Sequence, residues 1–212
     1  MSKTFARTAK RVGLKVRKVV TYDPAAHDYK SLAAKIHSPC VVQTGEVEMH
    51  AGRVLKDVHS ARPRARLYGG DAICLNSSFG GVPQSAAGRF RCTIAALAPG
   101  AFGPAGRAFF KRYSARYGEA HPDPYAIYGY ESMALMLRSA KRALARPSGR
   151  LRRRVVVTAL FATRHRRSVI GTYSIDRHGD TTLRDYGLYR LRKGRLRFAR
   201  TVHSVRPVTG HR

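Results

Sequence analysis

Two short stretches of the sequence place an acid directly after glycine: Thr44-Gly45-Glu46 and Gly69-Gly70-Asp71. Each follows a short run that reads as a strand, Cys40 to Gln43 and Arg66 to Tyr68. In open α/β sheets, ligands bind beyond the carboxyl ends of the strands. A carboxylate in that position can hold an ammonium group through charge-assisted hydrogen bonds. The structural alternative is that Glu46 favours the positive end of the following helix and Asp71 closes a turn. Acids are scarce in this chain, 12 against 41 Lys and Arg, which makes both positions worth weighing as binding candidates.

No other grouping has the form of a reactive centre. Gly129 to Met133 (GYESM) is not a nucleophile elbow, because its serine is misplaced and falls within a helical pattern. Phosphate-loop and dinucleotide fingerprints are absent. Cys40, Cys74 and Cys92 are odd in number and far apart, which argues against a disulfide framework and against a zinc site. The nine histidines are scattered. Asn76-Ser77-Ser78 matches a glycosylation acceptor, a pattern common by chance. The expectation is therefore no catalytic residue, no metal and no cofactor.

The elements around these stretches alternate. A helix carrying Phe5, Ala9 and Val12 is closed by Gly13; a strand is predicted over Leu14 to Tyr22; Asp28 caps a second helix. Val47, Ala51, Val54, Leu55 and Val58 mark a third helix between the two glycine-acid strands. Such alternation implies a parallel sheet with right-handed crossovers. From Ala72 to Gly103 the pattern loosens, with one strand-like piece at Phe90 to Ile94. Helices are then predicted over Gly103 to Tyr117, Asp123 to Leu144 and Leu151 to Phe161. In the second, Ala126, Tyr130, Met133, Leu137, Ala140 and Leu144 form the expected core stripe, with Glu131 off it and further apolar residues widening the buried surface. Arg146 to Gly149 stops that helix. The tail reads as strands over Ser168 to Ile175, Tyr186 to Leu191 and Leu196 to Val202, with turns at His178-Gly179-Asp180 and Lys193-Gly194.

A formal charge of +29 makes nucleic acid the first partner to consider. The basic residues are dispersed, however, and the densest block, Arg150 to Arg154 with Arg164, Arg166 and Arg167, lacks interleaved stacking aromatics. It reads as a solvated helix face. No run is long and apolar enough for a membrane span, and MSKTFARTAKRVG has no signal-peptide core.

Several segments, in order, resemble a known family: FARTAKRVGLKV, TYDPAAHDYKSLAAKI, FFKRYSARYG, PYAIYGYESM and SVIGTYSIDRHGDTTLRDYGLYRLRKG. They are similar to the substrate-binding proteins of branched-chain amino-acid ABC transporters, which are type 1 periplasmic binding proteins. The resemblance implies a two-lobed α/β fold, with parallel sheets flanked by helices, that closes on a small ligand. It implies residues 1–95 as a second-lobe segment, 96–185 as the completion of the first lobe and 186–212 as strands returning to the second. The family's signal sequence and long first segment are expected to be missing, so the chain corresponds to a C-terminal portion. The ligand's ammonium group would be held by Asp71, beside Gly70, and the neighbouring loop would be Gly45 and Glu46. The partners implied are a small amino acid and a membrane permease, in the periplasm or at the cell surface, with no enzymatic activity. The alternatives are a basic nucleic-acid-binding protein on the same scaffold and a non-functional truncated copy.

The dispersal of charge has a measurable outcome. DNA or RNA binding, followed by fluorescence anisotropy, is expected to be weak, indifferent to sequence and lost by physiological salt. Tight, sequence-selective binding at that salt would make nucleic acid the leading reading.

Overall fold

The computed structural model describes residues 2–45, 50–79, 82–145 and 151–204. In chain order its helices and strands begin with α1 (Ser2–Arg11), α2 (Lys30–Ala34), β1 (Cys40–Gln43), α3 (Ala51–Ala61) and β2 (Arg66–Gly69). Then come α4 (Gln84–Arg89), β3 (Phe90–Ile94), α5 (Pro104–Tyr117), α6 (Ala126–Leu144) and α7 (Arg153–Phe161). Strands β4 (Arg166–Ser168), β5 (Gly171–Tyr173), β6 (Asp185–Arg192) and β7 (Arg195–His203) follow. The chain divides into two compact units, Met1–Ala95 with Gly187–Val202, and Ala96–Tyr186 with His203–Arg212. No described helix is long and apolar enough to cross a membrane.

The main sheet has the order β1-β2-β3-β6-β7. β1 runs parallel to β2 and β2 parallel to β3, as the strand-helix alternation implies, whereas β6 joins β3 antiparallel. Val54, Leu55 and Val58 bury one side of α3, and Phe90, Cys92 and Ile94 bury alternate positions of β3. Truncating a buried residue such as Leu55 or Leu67 to alanine typically costs about 2–5 kcal/mol. Asp57, on the buried side of α3, accepts the Tyr29 backbone N–H at 2.7 Å and so holds the start of α2. Asp28 contributes only a local bond, accepting from the Lys30 N–H at 3.1 Å. The turn between β6 and β7 uses left-handed backbone at Lys193 and Gly194. Gln84 accepts the Lys193 N–H, and Asn76 accepts the Leu196 N–H, so Asn76 serves the sheet's far hairpin.

Two expectations fail in this unit. Leu14 to Tyr22 is not a strand, and Leu14, Val16, Val19 and Val20 are exposed. Its β-branched composition favours extended backbone, but a strand exists only when a neighbour takes its N–H and C=O groups. Among the described residues none pairs with it. The second failure concerns cysteine. Cys74 and Cys92, both buried and 18 residues apart, form a disulfide with Cα atoms 5.7 Å apart, leaving Cys40 free and exposed. Odd number and wide spacing argue against a framework of bridges, but do not bear on one bond between residues that the fold brings together.

In the second unit, α6 begins after Asp123, whose carboxylate accepts the Tyr125 N–H at 2.7 Å. Its expected end, Arg146 to Gly149, lies outside the described residues, as does Val47 of the third predicted helix. The buried side of α6 is Ile127, Glu131, Ser139 and Ala143, while Met133 is 60% and Leu137 62% exposed. The stripe expected to form the core therefore faces outward. Helical periodicity alone identifies an apolar face without saying which neighbour covers it, and α7 packs against α6. Glu131 is buried because it is matched: Oε1 accepts from Arg166 Nε at 2.6 Å and from Tyr173 Oη at 2.8 Å. Ser168 to Ile175 is not one strand but the β4–β5 hairpin, as Gly171 with φ +113° begins the return. The turn at His178-Gly179-Asp180 forms as expected, with the Asp176 carboxylate accepting the His178 and Asp180 N–H groups.

Closing an 18-residue loop by disulfide stabilises a fold by roughly 3 kcal/mol in the chain-entropy account. Cys74→Ser is expected to lower the urea unfolding free energy by about that amount without changing the far-ultraviolet spectrum; an unchanged midpoint would contradict it. Tyr173, through burial and its bond to Glu131, and Tyr128, through burial and the nearby Asp185 charge, have hydroxyls pushed up to about 12. Folding thus favours both neutral phenols. That stability is complete below the ordinary value of 10 and is lost as pH rises toward 12. Circular dichroism followed against phenolate absorbance should show the last two of the 11 tyrosines ionising only as structure is lost within that window; ionisation of all 11 near pH 10 with structure intact would contradict it.

Candidate functional site

Strands β1 and β2 lie side by side in parallel, with Gln43 opposite Gly69. Their carboxyl ends therefore leave the sheet together, about 4.8 Å apart in the pairing direction. Thr44 and Gly45 continue from one, Gly70 and Asp71 from the other. Three of the four candidates are thus brought to one end of one sheet. Glu46 lies outside the described residues.

Gly70 is extended, and Asp71 is exposed and opens a short 3-10 turn, Asp71–Ile73. The Asp71 carbonyl accepts the Cys74 N–H at 3.0 Å, so the turn runs directly into the disulfide. Gly69 is required by packing. A Cβ there would stand 2.5 Å from Ile73 Cδ1 and 2.9 Å from Phe90 Cζ, closer than carbon atoms approach. This glycine lets the turn fold tightly back over β3, which fixes where Asp71 emerges.

The polar groups that sequence reasoning passed over sit at the end of β1. Gln43 is buried, and its Nε2 donates to Tyr22 Oη at 2.6 Å. Tyr22 meets Tyr29 edge to face at 5.1 Å. Burial pushes the Tyr22 hydroxyl up, with the Gln43 bond opposing, so it remains a neutral donor and acceptor. The signal was available: Tyr22 ends a strand-like run just before Asp23-Pro24, so the strand-end rule that selected Asp71 applied to it as well. A carboxylate on β2's end and a neutral amide–phenol pair on β1's end suit a small polar ligand bearing one cationic group. Among the described residues, no group of three His, Cys, Asp or Glu side chains is arranged to hold a metal.

A family model described as periplasmic binding protein matches residues 1–195, and the chain belongs to that family. Among solved structures, a leucine-binding protein LivK from Thermotoga maritima is 20% identical with TM-score 0.77, over 95% of this chain and 56% of its own. The branched-chain amino-acid binding protein LivJ from Streptococcus pneumoniae, in complex with isoleucine, is 19% identical with TM-score 0.70, over 93% and 56%. A solute-binding protein from R. palustris in complex with benzoate is 17% identical with TM-score 0.64, over 96% and 56%. At these identities the likeness shows the fold, and the chain spans about 56% of the length of those proteins. Comparison with curated protein sequences returns no significant match.

Proposed function

We propose that this chain is part of the substrate-binding component of an ABC transporter, taking up a small amino acid of the branched-chain class for a membrane permease. The observation that carries the reading is Asp71, an exposed carboxylate where β2 ends beside β1, in a chain of the periplasmic binding protein family. In this reading Asp71 accepts hydrogen bonds from the ligand's ammonium group, with Gly70, Gly45 and Glu46 beside it. The protein binds and releases its solute without changing it covalently. Structural likeness to LivK and LivJ, whose descriptions name leucine and isoleucine, supports this ligand class. The Cys74–Cys92 disulfide supports a location in the periplasm or at the cell surface, because such bonds persist in oxidising compartments.

An ammonium–carboxylate pair becomes partly desolvated when a ligand covers it, and removing one partner then costs about 2–5 kcal/mol. Asp71→Asn keeps the size and deletes the charge. Calorimetric titration with leucine, isoleucine and valine is expected to show affinity weakened on the order of thirtyfold or more. Glu46→Gln is expected to do less. The titration is made on the chain with the family's first segment supplied; unchanged affinity in Asp71→Asn, with binding by the unsubstituted protein demonstrated, would make Asp71 a turn residue only.

A further inference from the structure

A cavity of about 270 Å³ lies wholly within the second unit, between the later half of α6 and the segment running from the end of α7 through β4. Its wall is unusually cationic. Arg138 and Arg142, one turn apart on α6, contribute from one side, and Arg164, Arg166 and Arg167 from the other. Among the described residues, Arg166 is the one of these matched by a carboxylate, Glu131. Arg164 is held in place by backbone carbonyls, donating at 2.8 Å to each of Phe161, Thr163 and Ile175, which fixes its position without cancelling its charge. Among the described residues no carboxylate pairs with Arg138, Arg142, Arg164 or Arg167.

A second observation is independent of charge. Thr163 lines the same cavity, is 3% exposed, and its hydroxyl has no hydrogen-bond partner among the described residues. A buried hydroxyl without a partner is uncommon and calls for an explanation. Arg142 alone would be accounted for by the negative end of α6, in whose last turn it lies. That account does not extend to Arg138, a turn earlier, or to the arginines across the cavity. Like charges gathered around a concave surface repel one another and focus a positive potential, both of which an anion relieves. Guanidinium forks match phosphate oxygens in pairs.

We propose that this cavity is an anion site for a multiply charged phosphate group of diphosphate size, separate from the amino-acid site. Arg138, Arg142 and Arg167 supply forked donors, and Arg164 supplies a fixed charge behind them. The site is independent of the reading of Asp71, which lies in the other unit.

The test is calorimetric titration of the 212-residue chain with inorganic diphosphate at about 0.15 M salt, where dispersed surface charge is largely screened. One saturable site is expected. The double variant Arg138→Gln/Arg142→Gln should weaken it by at least about tenfold, since each loses a charge-assisted bond. Arg112→Gln/Arg116→Gln, the same charge change on α5 away from the cavity, should leave it unchanged. All four side chains are exposed, so folding should survive, which thermal unfolding checks. Adenosine diphosphate binding as tightly as inorganic diphosphate would identify the phosphate group as what is recognised; tighter binding would show a nucleotide as its source, through the same arginines. Equal losses in both double variants, several weak sites, no saturable binding, or tighter binding of a polynucleotide abolished by the same pair would overturn the proposal.

Discussion

The parallel pairing of β1 with β2 is the constraint on which the candidate site of the first unit depends. Hydrogen bonding along the two strands sets Gln43 opposite Gly69, and everything that follows is counted from there. A slip of one residue would turn Val41 and Leu67 to the wrong faces and move Asp71 out of step with Gly45. The register is held by burial of Leu67 on β2 and of Val54, Leu55 and Val58 on the crossover helix α3. It is held again by the tight approach of Ile73 and Phe90 over Gly69, which leaves no space for a side chain.

Local signals located most of the elements. The stop of α1 at Gly13, the helix of Phe109 and Phe110, the Lys193-Gly194 turn and the short strands at Cys40 and Arg66 each announce themselves by composition and punctuation. The positions of Asp71 and Tyr22 after strand-like runs are local features, whereas the meeting of Tyr22 with Gln43 spans 21 positions and leaves no local sign. The failures share a cause. Whether Leu14 to Tyr22 becomes a strand, which stripe of α6 is buried and which cysteines meet are all decided by distant neighbours. Glu131 shows this most sharply. An acid on a helix reads as solvated, and only the presence of Arg166 and Tyr173, 35 and 42 positions away, makes burial tolerable.

Charge has different uses in the two units. In the first, the carboxylates of Asp57 and Asp28 accept backbone N–H groups, and Asp71 stands exposed at a strand end. In the second, the one strongly buried carboxylate is consumed internally by Arg166 and Tyr173, so its neighbouring arginines keep their charge. The overall excess of +29 is therefore not a property of one face. Its local effect depends on where the few acids are spent, and α6 carries that division along its length, with Glu131 matched near its beginning and Arg138 and Arg142 without carboxylate partners, among the described residues, toward its end.

The disulfide also says something about the order in which the first unit assembles. With three thiols in the reduced chain, any two can pair, and exchange proceeds through whichever thiolate is accessible. Cys74 and Cys92 enclose a shorter loop than either makes with Cys40, so chain statistics and the native arrangement favour the same pair. Once β3 docks against β2, both sulfurs are buried and withdrawn from exchange. Cys40 is then the thiol left over, at the start of the strand on the sheet's outer edge. Folding thus separates the thiols by access: the native pair is closed to exchange, and Cys40 alone stays open to solvent.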